Sequence, residues 1–132
     1  MRRTVSGDNK RHSSNIRRKR ERSGRMSELF AAAVLCLKGY RILARRHRSR
    51  FGEIDIIAVR GKRLAFVEVK RRPTLIEAEA AKTRSQARRL ASAAAHWVWT
   101  HPAFRQHEIG LDAVLVVHGR WPRHQPNALQ PV

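Results

Sequence analysis

Four ionisable residues stand inside two apolar, β-branched stretches: Glu53 and Asp55 in residues 52–60, and Glu68 and Lys70 in residues 63–71. Charges in such a setting are costly unless they bind something. The connection Arg60-Gly61-Lys62-Arg63 puts Gly at the first central position of a two-residue type II′ loop, so the strand register follows by counting. Arg60 faces Arg63, Asp55 falls opposite Glu68, and Glu53 falls opposite Lys70. All four side chains then project from one face, because strand side chains repeat with period 2. Carboxylates about 5 Å apart across a ladder repel one another, and a divalent cation is the natural neutraliser. The hard oxygen donors of Asp55 and Glu68 suit Mg²⁺ or Mn²⁺. Such an ion can polarise a scissile phosphate and lower the pKa of a bound water. Lys70 would orient or deprotonate that water, or support developing negative charge. Glu53 reads more simply, as a supporting ion-pair partner of Lys70.

The elements that must position these groups can be read from pattern. Ser27 is an N-cap candidate for a helix running to about Lys38, with Glu28 in its first turn and Gly39 as its stop. Leu29 to Leu37 is an unbroken apolar run, read as a buried helix. Strands follow at about 40–46, 52–60 and 63–71, and Pro73 closes the third. Residues 75–99 contain no Gly or Pro and predict a long helix. Its apolar stripe includes Ala80, Ala87, Leu90, Ala91, Ala94, Trp97 and Val98, with Lys82, Arg84, Arg88 and Arg89 exposed. Trp97 and Trp99 read as core and interface packing. Leu111 to Val117 is a last apolar strand, Asp112 at its start reads as a turn residue, and the chain from Gly119 reads as irregular. The order helix, three strands, helix, strand predicts an α/β layered domain with a mixed sheet of four or five strands. The last strand arrives through a helical crossover and lies parallel to its neighbour.

Charge bounds the partner. The chain of 132 residues has 29 Lys or Arg against 10 Asp or Glu, a formal charge of +19. Residues 1–25 hold ten of the basic residues against Asp8 and Glu21, so the body is basic as well as the leader. A polyanion such as nucleic acid is the expected partner, with no membrane. Residues 1–23 are polar and basic and predict a disordered leader, the folded domain spans 24–123, and 124–132 form a tail. Arg45, Arg46, Arg48 and Arg50, just before the site, are candidates to position phosphates. Gln86, on the basic face of the long helix, is a candidate substrate contact. The lone Cys36 excludes an intramolecular disulfide, suits a reducing cytoplasm, and reads as buried and inert. Seven histidines show no ligand spacing, which argues against zinc.

Asp55 with Glu68-Val-Lys70 matches the PD-(D/E)XK nuclease signature. Together, Lys38-Gly-Tyr-Arg-Ile-Leu-Ala-Arg-Arg46, Gly52-Glu-Ile-Asp55 and Phe66-Val-Glu-Val-Lys70 resemble the YraN-like uncharacterised family, which is similar in fold to archaeal Holliday-junction resolvases and restriction endonucleases. The resemblance covers about 24–123. It implies a restriction-endonuclease-like three-layer core with helices on both faces. It also implies a metal site at Asp55, Glu68 and Lys70, with Glu28 either completing it or merely complementing its helix terminus. Resolvase-like relatives act as dimers, so a homodimer is implied, although no residue here marks a dimer surface. One departure stands out: the family's last strand begins Arg-Phe-Asp, whereas this chain reads Gly110-Leu111-Asp112 and lacks that basic residue. The leading expectation is a metal-dependent endonuclease hydrolysing phosphodiester bonds, DNA favoured. The competing expectation is a non-catalytic nucleic-acid-binding module, on DNA or ribosome- and RNA-associated, that retains the fold.

Overall fold

A computed structural model describes residues 24–72 and 84–130. The expected leader at 1–23, and the first part of the long helix with Ala80 and Lys82, lie outside the described residues. Helix α1 covers 24–37. Strands β1 (Arg41–Ser49), β2 (Gly52–Arg60) and β3 (Arg63–Arg72) follow, then helix α2 (Arg84–Thr100) and a 3₁₀ turn at Pro102–Phe104. Strands β4 (Glu108–Val117) and β5 (Arg123–Gln125) complete the order. The sheet runs β1-β2-β3-β4-β5. Only β3 and β4 are parallel, paired continuously from Arg63↔Glu108 to Arg72↔Val117, as a helical crossover requires.

Three layers result. On one face Ala31 and Leu35 of α1 pack with Ile56, Ala58, Ala65, Val67 and Val114. On the other, Ala87, Leu90, Ala94 and Trp97 of α2 pack with Ile57, Leu64, Phe66 and Leu111. Central strands covered on both faces need apolar residues at nearly every position, which is why β2 and β3 read as continuous runs.

The apolar run of α1 is not buried as a whole. A single helix laid on a sheet hides one stripe, here Ser27, Ala31 and Leu35, while Leu29, Phe30, Cys36 and Leu37 face outward. Cys36 is therefore exposed rather than buried. Ser27 is also not an N-cap, because the helix is already formed at residue 24. The stop at Gly39 stands: its φ is +93°. The Tyr40 N–H donates to Leu35 O and the Gly39 N–H to Cys36 O, both at 3.0 Å, a Schellman cap that only a left-handed residue closes easily. Trp97 is buried edge-on to Phe66, but Trp99 points to solvent.

Beyond Gly119 the chain is more ordered than its composition suggests. The strand β5 pairs antiparallel with β4 from Ala113↔Gln125 to Leu115↔Arg123. The Leu129 N–H donates to Leu111 O at 2.9 Å, and the Leu129 side chain is buried. No helix among the described residues is long and apolar enough to cross a membrane.

Candidate functional site

The hairpin register holds as counted from Arg60↔Arg63 to Ile56↔Val67, and there the ladder stops. Asp55 and Glu68 sit at the next step, where β2 and β3 part. On the other edge of β2, β1 pairs Arg45↔Ile56 and His47↔Ile54 but skips the step between, where Arg46 takes a positive φ of 53°. Asp55 thus occupies the point at which β2 loosens from both neighbours. Its Oδ2 accepts the N–H of Val69, between Glu68 and Lys70, at 2.8 Å. Burial pushes the Asp55 carboxyl up to about 6; that hydrogen bond opposes the rise, and the negative charges of Glu28, Glu68 and Glu53 add to it. Four acidic groups therefore share one neighbourhood. Lys70 is buried on the same strand as Glu68.

The surrounding candidates are distributed less uniformly. Glu28, on α1, is half-buried and accepts a 2.6 Å hydrogen bond from Arg46 Nε. That bond is the main reason the Arg46 guanidinium holds its proton more tightly than usual. Arg46 is thus engaged with a carboxylate rather than presented to a phosphate. Glu53 pairs loosely with Arg48, 3.7 Å away across β1–β2. The ladder expected to set Glu53 opposite Lys70 is paired only as far as Ile56↔Val67. Arg45 is exposed, and the Arg50 guanidinium lies 4.9 Å over the Phe51 ring. Gln86 is not on the basic face of α2. It falls on the stripe of Leu90, Ala93 and Trp97, with its Oε1 buried and lacking a hydrogen-bond partner.

The matching family profile is that of the uncharacterised protein family UPF0102, over residues 27–116. A UPF0102 protein of Mesorhizobium japonicum is 49% identical over 115 residues, covering 87% of this chain and 92% of that protein. Another from Nitrobacter winogradskyi is 50% identical over 102 residues, covering 77% and 86%. The chain belongs to the UPF0102 family. A relative from Rhizobium meliloti, 47% identical over 105 residues, carries the same family name.

Within the UPF0102 region, sequence reasoning missed Asp112. It is no turn residue: it is fully buried in the middle of β4. Arg63 grips it bidentately at 2.7 and 2.8 Å, His124 Nε2 donates to Oδ2 at 2.8 Å, and the Asn127 N–H donates to Oδ1 at 2.8 Å. Burial alone would raise its pKa, but the hydrogen bonds from Arg63, His124 and Asn127 outweigh it and hold the carboxyl well below the usual carboxylate range. Since Nε2 donates, Nδ1 is free to accept, and Lys38 Nζ is its partner. Arg63 also donates to the Tyr40 hydroxyl at 3.1 Å. The missing arginine at position 110 is explained here: a Cβ on Gly110 would lie 2.2 Å from Arg63 Nη2. The glycine vacates the volume that the Arg63 guanidinium fills. An Asp flanked by apolar strand residues was the available signal, since a buried carboxylate demands a cationic partner.

Among the described residues no three His, Cys, Asp or Glu side chains converge to hold a metal ion. A Mg²⁺ site does not need three, because this ion takes one or two carboxylates and completes its shell with water and substrate oxygens. Asp55 and Glu68 fit that demand. Glu28, tied to Arg46, does not contribute without releasing it.

Proposed function

We propose that this UPF0102 chain is a nucleic-acid-binding protein of the metal-dependent endonuclease type, acting on phosphodiester bonds, with DNA as the favoured substrate. The observation that carries the reading is the half-buried Asp55 carboxyl, raised to about 6 and crowded by Glu28, Glu68 and Glu53, in a chain of charge +19. Repelling carboxylates concentrated where the β2–β3 pairing stops need a counter-charge, and perturbed groups of this kind cluster at functional sites. Asp55 and Glu68 would hold a divalent cation, which when bound supplies Lewis acidity toward a phosphate oxygen. The Val69 N–H fixes Asp55 in place. Lys70 would meet the negative charge that builds on the phosphate, and Arg45 would anchor the backbone nearby.

Cleavage of branched, flapped, single-stranded and duplex DNA in Mg²⁺ or Mn²⁺ is the test. Asp55→Ala and Lys70→Ala are expected to reduce cleavage to background, and cleavage surviving either substitution would remove the proposed site. The Arg46–Glu28 bond favours one other reading, in which the acidic cluster is already neutralised internally and the protein binds without cutting. On that reading the wild type shows no cleavage in any metal, yet binds with an affinity that Arg45→Ala weakens and Asp55→Ala leaves within about twofold.

A further inference from the structure

A cleft of about 770 Å³ opens between the first turns of α1 and the β4–β5 turn, within the roughly 300–1,000 Å³ typical of ligand sites. Its walls are apolar and aromatic: Met26, Phe30, Trp121 and Pro122. Trp121 is 84% exposed, Met26 55% and Phe30 52%, so three large apolar side chains meet solvent at one place. Arg71 and Arg120 also line the cleft, and among the described residues its lining holds no carboxylate. A second hollow of about 480 Å³ shares Trp121, Arg120 and Pro122 with the first and is also lined by Leu115 and Arg123. The exposed indole therefore borders both hollows, with guanidinium groups in the same lining.

The lining residues neighbour the candidate site along the chain, since Arg71 follows Lys70 in β3 and Met26 and Ser27 precede Glu28 in α1, but strand alternation turns Arg71 to the opposite face of β3 from Lys70. A ligand for such a surface must offer a flat π-face and negative charge together. A second copy of this chain would bring its own guanidinium groups and be repelled. A duplex buries its base faces in the stack, whereas an unpaired nucleotide exposes one next to its phosphate.

We infer that this cleft binds an unpaired nucleotide, its base stacked on Trp121 and its flanking phosphate held by Arg120, so that the substrate is nucleic acid carrying a single-stranded segment. The inference rests on the nucleic-acid reading above and adds a binding site to it.

The test uses the full chain in EDTA, so that no cleavage intervenes, with labelled oligodeoxythymidylate and a duplex of the same length followed by fluorescence anisotropy. Base–aromatic stacking predicts that Trp121→Ala weakens single-strand binding about tenfold, that Trp121→Phe recovers most of it, and that duplex affinity moves less than about twofold. In a Trp99→Phe background, which leaves buried Trp97 and exposed Trp121, single-stranded DNA should quench the tryptophan emission, and adding Trp121→Phe should abolish that quench. Equal losses on both substrates, or no loss on either, would overturn the inference while leaving nucleic-acid binding intact. Wild-type protein that binds neither oligonucleotide would remove the broader reading as well. A dimer seen by sedimentation and abolished by Trp121→Ala, with single-strand affinity unchanged, would assign the cleft to a second copy instead. Because Trp121 is so exposed, an unaltered melting temperature in both variants is the expected folding control.

Discussion

Two aspartates among the described residues, Asp55 half-buried and Asp112 fully buried, meet opposite fates. Burial, reinforced by three negative neighbours, outweighs the one backbone hydrogen bond that Asp55 receives, so folding raises its pKa from 3.8 to about 6. The fold thereby favours its protonated form. That contribution to stability is fully present below the unfolded value and is lost as pH rises through about 6. Asp55→Asn, whose amide oxygen can still accept the Val69 N–H, should raise stability at pH 8 by about 1–3 kcal/mol and leave it little changed at pH 4. Thermal melts across that range check the sign. Mg²⁺ or Mn²⁺ should raise the wild-type melting temperature at pH 8 and have no such effect on the variant. Asp112 is the reverse case, since Arg63, His124 and Asn127 hold it ionised. Asp112→Ala strands the Arg63 guanidinium and should cost about 3–5 kcal/mol, read from urea unfolding, with the loss of at least one of these contacts visible as a shifted His124 resonance.

At the scale of elements, caps and strand edges decide what the site can reach. Gly39 reverses the chain between α1 and β1 in a left-handed conformation, which fixes Glu28 on one side of the turn and Arg46 on the other. Gly39→Ala should destabilise by about 1 kcal/mol, measurable as a lower denaturation midpoint with an unchanged denaturant slope. The hairpin was legible because a Gly turn and period-2 side chains leave one register that buries the apolar set, and Ile56↔Val67 to Arg60↔Arg63 follow it. Counting could not show where the ladder would end. That depends on Asp55 taking the Val69 N–H and on Arg46 leaving the β1 ladder, choices made between strands. β5 was hidden for a related reason: three residues in a Pro-containing segment carry no periodicity, and become a strand only because β4 offers an open edge.

For the molecule as a whole, charge is the dominant property. With +19 spread over leader and body, nucleic-acid affinity should fall steeply as salt rises from 50 to 200 mM, linearly in log–log form. Arg45→Ala should lower the slope by about one, whereas Arg46→Ala should change it less, because Arg46 already serves Glu28. Binding indifferent to ionic strength would contradict this. Net charge, the αβββαβ order and the pairing of the hairpin were properties of the sequence alone, because each depends on composition or on neighbours close in the chain. The parallel crossover followed from the element order, since a strand reached through a helix returns parallel to the sheet. Which arginine meets which acid was decided only in three dimensions: Arg46 with Glu28, Arg48 with Glu53, and Arg63 with an aspartate 49 residues away in the volume that Gly110 leaves open. Ion pairs form between side chains that packing brings together, and distances across layers are set by the packed helices and sheet, not by spacing along the chain.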